Sequence, residues 1–307
     1  MKNIDIIILN YNGSEMMRQC LPSVVDAARR SPVPCRVIVL DNKSTDESLD
    51  YVRKTFPHIK TIVSSENRVL FSYNDLIPKL SSDIVILLNN DVKVTPDFIA
   101  PLIKHFEDNE VFAVAPKQLD FNGNYNGGKN RILFSFGLIE AGPYNYKNED
   151  AAVNEPGYTF YEANSAYDRR KFVELGGFDD IYAPFTWEDT DLAYRSWKSG
   201  YKFIYEPKSV IYHYESYTIN REGVKVENRR IITRRNSFIF TWKNISDPGL
   251  LMQHLFLLPL NLVLSLFNDR PRIIAFIQAL KYLPRIFKSR KRYPVSDAKV
   301  LCRNEIN

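Results

Sequence analysis

Ile4-Asp-Ile-Ile-Ile-Leu-Asn10-Tyr-Asn-Gly13 is the stretch whose reading decides the fold. A short apolar run stops abruptly in a polar turn, the pattern of a buried strand. Residues 14–30 then read as a helix with Leu21, Val24, Val25 and Ala28 on its apolar face, broken by Ser-Pro-Val-Pro. The same unit recurs downstream. Residues 36–40 are a second strand ending at Asp41, 46–54 a helix, 60–63 a third strand, 73–80 a helix and 83–88 a fourth strand. Thr95-Pro96 offers a cap and a first-turn proline for another helix, and residues 111–115 make a fifth strand. Alternating β and α units with continuously apolar strands predict an α/β fold: a Rossmann-like, mostly parallel sheet with helices on both faces.

In such sheets ligands bind beyond the carboxyl ends of the strands. The residues at those ends are Asn10, Tyr11 and Asn12; Asp41 and Asn42; and Asn89, Asn90 and Asp91. One such cluster means little, because turns favour Asn and Asp. Three at successive strand ends point to a lined crevice.

A second informative stretch is Phe185-Thr-Trp-Glu-Asp-Thr-Asp-Leu-Ala-Tyr-Arg195, which packs Glu188, Asp189 and Asp191 into four positions. Leu175-Gly-Gly-Phe-Asp179 precedes it as a turn signal, and His213 follows after a strand-like run. Thr186 is the expected helix cap, with Asp189 as its capping-box partner. Leu192, Ala193 and Trp197 fall on one side of that helix. Asp191 stands four residues before Arg195, a spacing that predicts a surface ion pair. The competing account is a well-capped surface helix whose acids suit the positive end of its dipole.

The 307 residues are 45% hydrophobic and 25% charged, with a net charge of +5 and a pI near 8.9. A balance this mildly basic suits a nucleotide phosphate, a membrane surface or nucleic acid. Cys20, Cys35 and Cys302 form neither a metal spacing nor a disulfide framework, as expected in a reducing compartment. The first apolar run contains Asp5 and reads as a strand rather than a signal peptide, so the cytoplasm is the expected location. No Gly-x-Gly-x-x-Gly follows the first strand, and no Walker loop or Gly-x-Ser-x-Gly elbow is present, which argues against dinucleotide enzymes, P-loop enzymes and serine hydrolases. A carboxylate-and-histidine set remains: Asp41, Asp91, Asp189 and His213.

Residues 116–160 are rich in Gly, Asn, Tyr and Pro and read as irregular loops with room for a hairpin. Residues 161–168 read as a strand, 169–175 as a helix, and 202–205 and 210–213 as short strands around Glu206-Pro207. The tail has another character. A helix over 250–267 carries no Asp, Glu, Lys or Arg. Its Gln253, His254, Asn261 and Ser265 fall on one side and Pro259 interrupts it, which favours lying on a membrane or on protein over spanning. Residues 271–283 are amphipathic, and 284–292 are basic, a combination that suits an anionic leaflet.

Five motifs, Ile-Leu-Asn-Tyr-Asn-Gly13, Val-Leu-Asp-Asn-Lys-Ser-Thr-Asp-Glu-Ser48, Leu-Leu-Asn-Asn-Asp-Val92, Gly-Gly-Phe-Asp179 and Trp-Glu-Asp-Thr-Asp-Leu192, stand in order along the chain. In these the sequence resembles the family 2 inverting glycosyltransferases of GT-A fold, over about residues 3–216, and within them the bacterial surface-polysaccharide branch with its rhamnosyltransferase-like members. The resemblance implies that Tyr11 and Asp41 hold the base and ribose of a nucleotide-diphosphate sugar, in a site shared with Asn10, Asn12, Asn42, Asn74, Asn89 and Asn90. It makes Asp91 and His213 ligands of Mn²⁺ or Mg²⁺, Asp189 the catalytic base with Glu188 beside it, and Trp187 and Asn164 parts of the acceptor region. Asn89 stands where the family's metal motif often has a first acid, and residues 67–74 lack the glycines usual in relatives. The implied organisation is a catalytic domain over 1–245, with a donor half to about 115 and an acceptor half beyond it, and a helical, basic, membrane-associated tail over 246–307. A glycan or lipid-linked acceptor at the inner face of the cell membrane is expected, and no nucleic acid. The rival readings are a nucleotidyltransferase, which calls for a Gly-rich basic loop after the first strand, and a catalytically inactive nucleotide-sugar or glycan scaffold at the membrane.

Overall fold

Every residue of β1 (Ile4–Asn10) is buried, and the strand sits inside the sheet with parallel neighbours on both sides. These are β2 (Cys35–Asp41) and β4 (Ile84–Asn89), and β3 (Lys60–Val63) extends β2 in parallel. The computed structural model describes residues 2–143, 146–214 and 226–303. Successive side chains of a strand point to opposite faces, and here they enter two different cores. Ile4, Ile6 and Ile8 pack with Met17, Leu21, Val24 and Val25 of α1 (Ser14–Arg29) and Val52 of α2 (Ser48–Thr55). Ile7 and Leu9 pack with the other core, which holds Leu192 and Trp197 of α6 (Glu188–Lys198), Phe172 of α5 (Arg169–Glu174) and Tyr73 of α3 (Tyr73–Leu76). The expected coverage of both faces is therefore present.

Beyond β4 the sheet becomes mixed. The strand β11 (Ala166–Asp168) lies antiparallel between β4 and β6 (Val111–Leu119). The strand β12 (Lys202–His213) runs parallel to β6 as one strand, with a register shift between Glu206 and Val210 where two short strands were expected. The short β5 (Val92–Val94) pairs antiparallel with β12 and sets His213 opposite Val92. The strands β7 (Tyr125–Gly127) and β10 (Gly157–Tyr158) add to β6 and β12, while β8 (Asn130–Ser135) and β9 (Leu138–Pro143) form a separate hairpin within the loop-rich region. Two helix boundaries differ from expectation. The helix expected at 73–80 is a single α turn between two 3₁₀ turns, the second holding Pro78. The helix α4 (Ile99–Ile103) starts after Thr95-Pro96, because the Thr95 N–H and hydroxyl both bond to the Val210 carbonyl (3.1 and 3.2 Å) and tie that residue to β12.

Among the described residues, five helices close the chain: α7 (Val226–Asn244), α8 (Pro248–Asn268), α9 (Arg270–Leu280), α10 (Leu283–Ser289) and α11 (Asp297–Cys302). Phe240 and Ile245, and beyond them Ala279, Ile286 and Val300, share one core with Leu192 and Trp197. Asp297 is fully buried and holds Lys198 Nζ, Tyr194 Oη and the Ser246 N–H, each at 2.6 Å. The helix α8 is turned inside out by comparison with an ordinary surface helix. Its buried residues are His254, Asn261 and Ser265, and its outer face shows Leu255, Phe256, Val263, Leu266 and Phe267, with Phe256 83% exposed. The polar stripe thus faces protein: His254 Nδ1 lies 2.5 Å from the Gly137 carbonyl and its Nε2 accepts from Trp242 Nε1 at 2.9 Å. Gln253, expected on the same side, is exposed instead.

Candidate functional site

The ends of β1, β2 and β4 are stitched together by their own side chains. Asn10 Nδ2 donates to Asp41 Oδ2 (2.7 Å) and Ser48 Oγ (2.8 Å), and Asn10 Oδ1 accepts from Asn90 Nδ2 (2.9 Å). Asp41 also accepts from the Ser44 N–H and hydroxyl (2.8 and 2.6 Å). Both Asn10 and Asp41 are fully buried, so they shape the crevice and spend their polar atoms on it. Gly13 permits this closure: a Cβ there would meet Asn90 Nδ2 at 1.9 Å. Asn42 is likewise committed, donating to the Val69 carbonyl (3.0 Å) and accepting from Ser72. Asn12 adopts a left-handed φ of 48° and accepts from the Thr45 N–H (2.8 Å). Tyr11 stays half-exposed at the mouth. Asn74 stands apart from this group. Its amide is engaged at both ends with Phe178, donating to the carbonyl at 2.7 Å and accepting from the N–H at 3.0 Å. Gly177 makes room for it: at a φ of 63°, a Cβ there would lie 2.2 Å from Asn74 Oδ1.

The long-range pairing of β5 with β12 brings Asp91 and His213 together, with Oδ1 3.2 Å from Nε2. Asp91 is 4% exposed, and its Oδ1 has no well-formed hydrogen bond among the described residues. A buried carboxylate oxygen left in that state beside an imidazole fits a divalent cation, whose oxygen and nitrogen ligands are of these kinds. The described residues contain no group of three or more His, Cys, Asp or Glu fit to hold a metal, so this pair would supply only part of a coordination shell. Asn89 lies close by, and its N–H donates to Asn164 Oδ1 at 2.9 Å.

The expected cap on α6 does not form. Thr186 and Trp187 both take left-handed backbone angles (φ 69° and 75°), and Trp187, not Thr186, precedes the helix without any side-chain cap bond. Such angles are unfavourable for a β-branched or bulky residue and are held only by their surroundings. Asn236 on α7 does the holding: its Nδ2 donates to the carbonyls of Tyr182, Phe185 and Thr186 at 2.8, 3.0 and 2.9 Å. Trp187 itself packs on Phe240, with ring centroids 5.0 Å apart. This bent entry delivers Glu188 and Asp189. Glu188 is 5% exposed, and its Oε2 has no hydrogen-bond partner among the described residues. Burial first, then the adjacent Asp189 charge, push the Glu188 carboxyl up to about 8. Asp189 Oδ1 accepts from the Thr190 N–H at 2.7 Å, yet burial outweighs that bond and raises its carboxyl as well. Burial therefore opposes the helix start, which by itself favours the ionised carboxylate. The two neighbouring, desolvated carboxyls each disfavour ionisation of the other.

Asp191 is not the surface partner predicted for Arg195. It is fully buried, bonded to Arg195 Nε (2.6 Å), Lys243 Nζ (2.8 Å), Tyr182 Oη (2.8 Å) and Asn244 Nδ2 (2.8 Å). Burial opposes its charge, but Lys243 and Arg195 win and hold the carboxyl well below the ordinary range. Arg195 in turn donates to the carbonyls of Leu175 and, at 2.7 Å, Gly177. Lys243, Asn244 and Asn236 were missed by sequence reasoning; the only signal was a run of polar residues inside the helical stretch of α7.

The loop before β11 bonds to the end of β4. Asn164 touches Asn89, and Tyr167, three residues on, feels the charge of Asp189. The mainly parallel, curled sheet with helices on both faces and a helical C-terminal part is a GT-A architecture. Solved structures agree on the fold. The chain matches GalNAc-T7, determined with UDP, GalNAc and Mn²⁺, at a TM-score of 0.57 and 18% identity, covering 79% of this chain and 48% of that one. It matches the mannosyltransferase PcManGT of Pyrobaculum calidifontis, determined with GDP-Man and Mn²⁺, at a TM-score of 0.54 and 17% identity, covering 92% and 75%. In sequence it is 28% identical over 233 residues to the O-antigen chain rhamnosyltransferase RfbN of Salmonella typhimurium, covering 71% of this chain and 68% of that one. Residues 5–176 match the family description Glycosyl transferase family 2, and the chain belongs to that family.

Proposed function

We propose that the protein transfers a sugar, with inversion, from a nucleotide-diphosphate sugar to a glycan or lipid-linked acceptor during surface-polysaccharide synthesis. The observation that carries this reading is the meeting of Asp91 with His213 across β5 and β12, at the end of the sheet where nucleotides bind in α/β folds. Tyr11, half-exposed at the mouth, is the residue offered to the nucleotide, with Asn12 beside it; Asn10, Asp41, Asn42 and Asn90 keep the floor in shape. Asp91 and His213 would hold a divalent cation, which offsets charge on a leaving diphosphate. Inversion is one in-line displacement and needs no protein nucleophile. Asp189 takes the acceptor hydroxyl proton as the new bond forms. Glu188, its carboxyl pushed up to about 8, favours the neutral form and leaves Asp189 the role of base. Trp187 and Asn164 border the acceptor side.

The α8 surface supports attachment to the membrane. Among the described residues, α8 is the one helix long and apolar enough to cross a bilayer. Its polar stripe is bonded to the rest of the protein at His254 and Asn261, which favours a helix lying in the interface with its apolar face in lipid. Location at the inner face of the cell membrane follows from that reading and from the cytoplasmic supply of nucleotide sugars.

The test is release of nucleoside diphosphate from a panel of nucleotide sugars in the presence of Mn²⁺, with and without EDTA. Turnover of one donor, abolished by EDTA and restored by Mn²⁺, is the expected result. Turnover that ignores EDTA would remove Asp91 and His213 from the reading.

A further inference from the structure

A second cavity, of about 460 Å³, opens between the Gly176–Asp180 turn, the end of α7 and the segment that follows α10. We infer that this cavity binds the diphosphate of a lipid-linked acceptor at the level of the membrane headgroups. The inference rests on the reading of the chain as a sugar transferase at a membrane surface.

Six cations line the cavity: Arg68, Arg195, Lys243, Lys288, Arg290 and Lys291. The first three are matched by carboxylates: Arg68 by Asp75, Arg195 by Asp191, and Lys243 by Asp191 and Asp179. The other three are not. Among the described residues, no carboxylate lies within ion-pair distance of Lys288, Arg290 or Lys291. Arg290 is instead fixed by the carbonyls of Trp242 (2.8 Å) and Ile245 (2.6 Å), which aligns a guanidinium without neutralising it. Asp179 and Asp180 also line the cavity, but Lys243 and Arg285 match them. The three remaining positive charges at one concave opening call for a polyvalent anion, and diphosphate oxygens accept the charge-assisted bonds that Lys and Arg donate. Basic pockets beside apolar membrane-facing helices take phosphorylated headgroups in this way. Phe287, the neighbour of Lys288 in the chain, is 68% exposed and offers an apolar contact beside the opening. The cavity is also tied to the reaction centre: its walls Arg195, Lys243 and Asn244 are the partners of Asp191, two residues beyond Asp189 on α6.

Two phosphate sources share this chemistry, a lipid-linked diphosphate and an ordinary anionic phospholipid, and vesicles separate them. Full-length protein is sedimented with phosphatidylcholine vesicles carrying either a polyprenyl diphosphate or phosphatidylglycerol, matched in surface charge. The wild type is expected to bind the diphosphate vesicles on the order of tenfold more tightly, the scale of one or two charge-assisted bonds. Lys288 and Lys291 are solvent-exposed, so Lys288→Ala/Lys291→Ala should fold normally, erase that preference and leave donor hydrolysis without acceptor unchanged. Lys288→Arg/Lys291→Arg should keep the preference. Equal binding of the wild type to both vesicles, or a preference that survives the alanine pair, overturns the site. Loss of donor hydrolysis in the alanine pair also overturns it, because the cavity would then belong to donor binding. A wild type that shows the preference but turns over no nucleotide sugar supports the cavity and refutes the transferase reading.

Discussion

Asp191→Asn tests how the reaction centre is held. The substitution keeps the shape of the side chain and removes its charge. Arg195 and Lys243, with side chains 6% and 5% exposed, then face each other across a neutral amide. Lys243 retains Asp179 at 2.7 Å, but Arg195 keeps only backbone carbonyls. Breaking a buried pair by deleting one partner costs about 3–5 kcal/mol. At roughly 2–4 °C per kcal/mol for a large domain, the melting temperature should fall by on the order of 10 °C. The wild type carries a pH signature of the same interaction. The Asp191 carboxyl is depressed in the folded state, so its contribution is complete above the ordinary carboxylate value of about 4 and drains away as pH falls below it. The variant should lack that acid-side loss. Thermal and urea denaturation from pH 7 down to pH 3 provide the assay. A drop under about 1 kcal/mol at neutral pH, the worth of an exposed ion pair, would refute the buried network.

Asp189→Asn should do the reverse: kcat falls about 10²–10⁴-fold, the usual cost of a lost general base, while stability holds or rises slightly because a desolvated charge is removed; unfolding as severe as that of Asp191→Asn would sink the assignment. With burial raising both members of the Glu188–Asp189 pair, the rate should climb with pH through an inflection above the ordinary carboxylate range, and an acid limb near pH 4 in kcat/KM would show an unperturbed base. Phe256→Ser/Phe267→Ser removes two of the most exposed apolar side chains of α8, each worth about 1.5–3 kcal/mol when buried, and should move the protein from vesicle pellet to supernatant without lowering its melting temperature; unchanged vesicle binding would place the lipid contact elsewhere.

The apolar runs of β1 to β4 and their polar ends were legible because each is local: a strand declares itself by burial and stops at its turn. The stripe of His254, Asn261 and Ser265 was legible as a spacing, but spacing does not say which side faces protein, and here the polar side does. Asp191 was misread for a related reason. An i,i+4 acid–base pair looks the same on a surface and in a core, and burial is decided by Lys243 and Asn244, which arrive from α7. Thr186 matched a capping box in residue types, yet Asn236 bends that turn into left-handed angles and leaves no cap. Asp91 and His213 were paired through family resemblance alone, since the antiparallel register of β5 on β12 has no local signature.

These misreadings share a source, and it bears on what the chain after residue 245 does. The strained entry to α6 is held by Asn236, the charge of Asp191 by Lys243, and the far end of α6 by Asp297, which binds Lys198 and Tyr194. Asp297 also bonds to the N–H groups of Ser246 and Asp247, the junction between α7 and α8. Cutting the chain near residue 248 to detach the apolar helix would therefore expose Phe240 and Ile245 and strand Lys198 without its carboxylate. Single substitutions on the outer face of α8 separate membrane contact from folding; truncation does not. Asn236 of α7 sets the entry of the carboxyl pair, and Asp297 of α11 ties that frame to the start of α8.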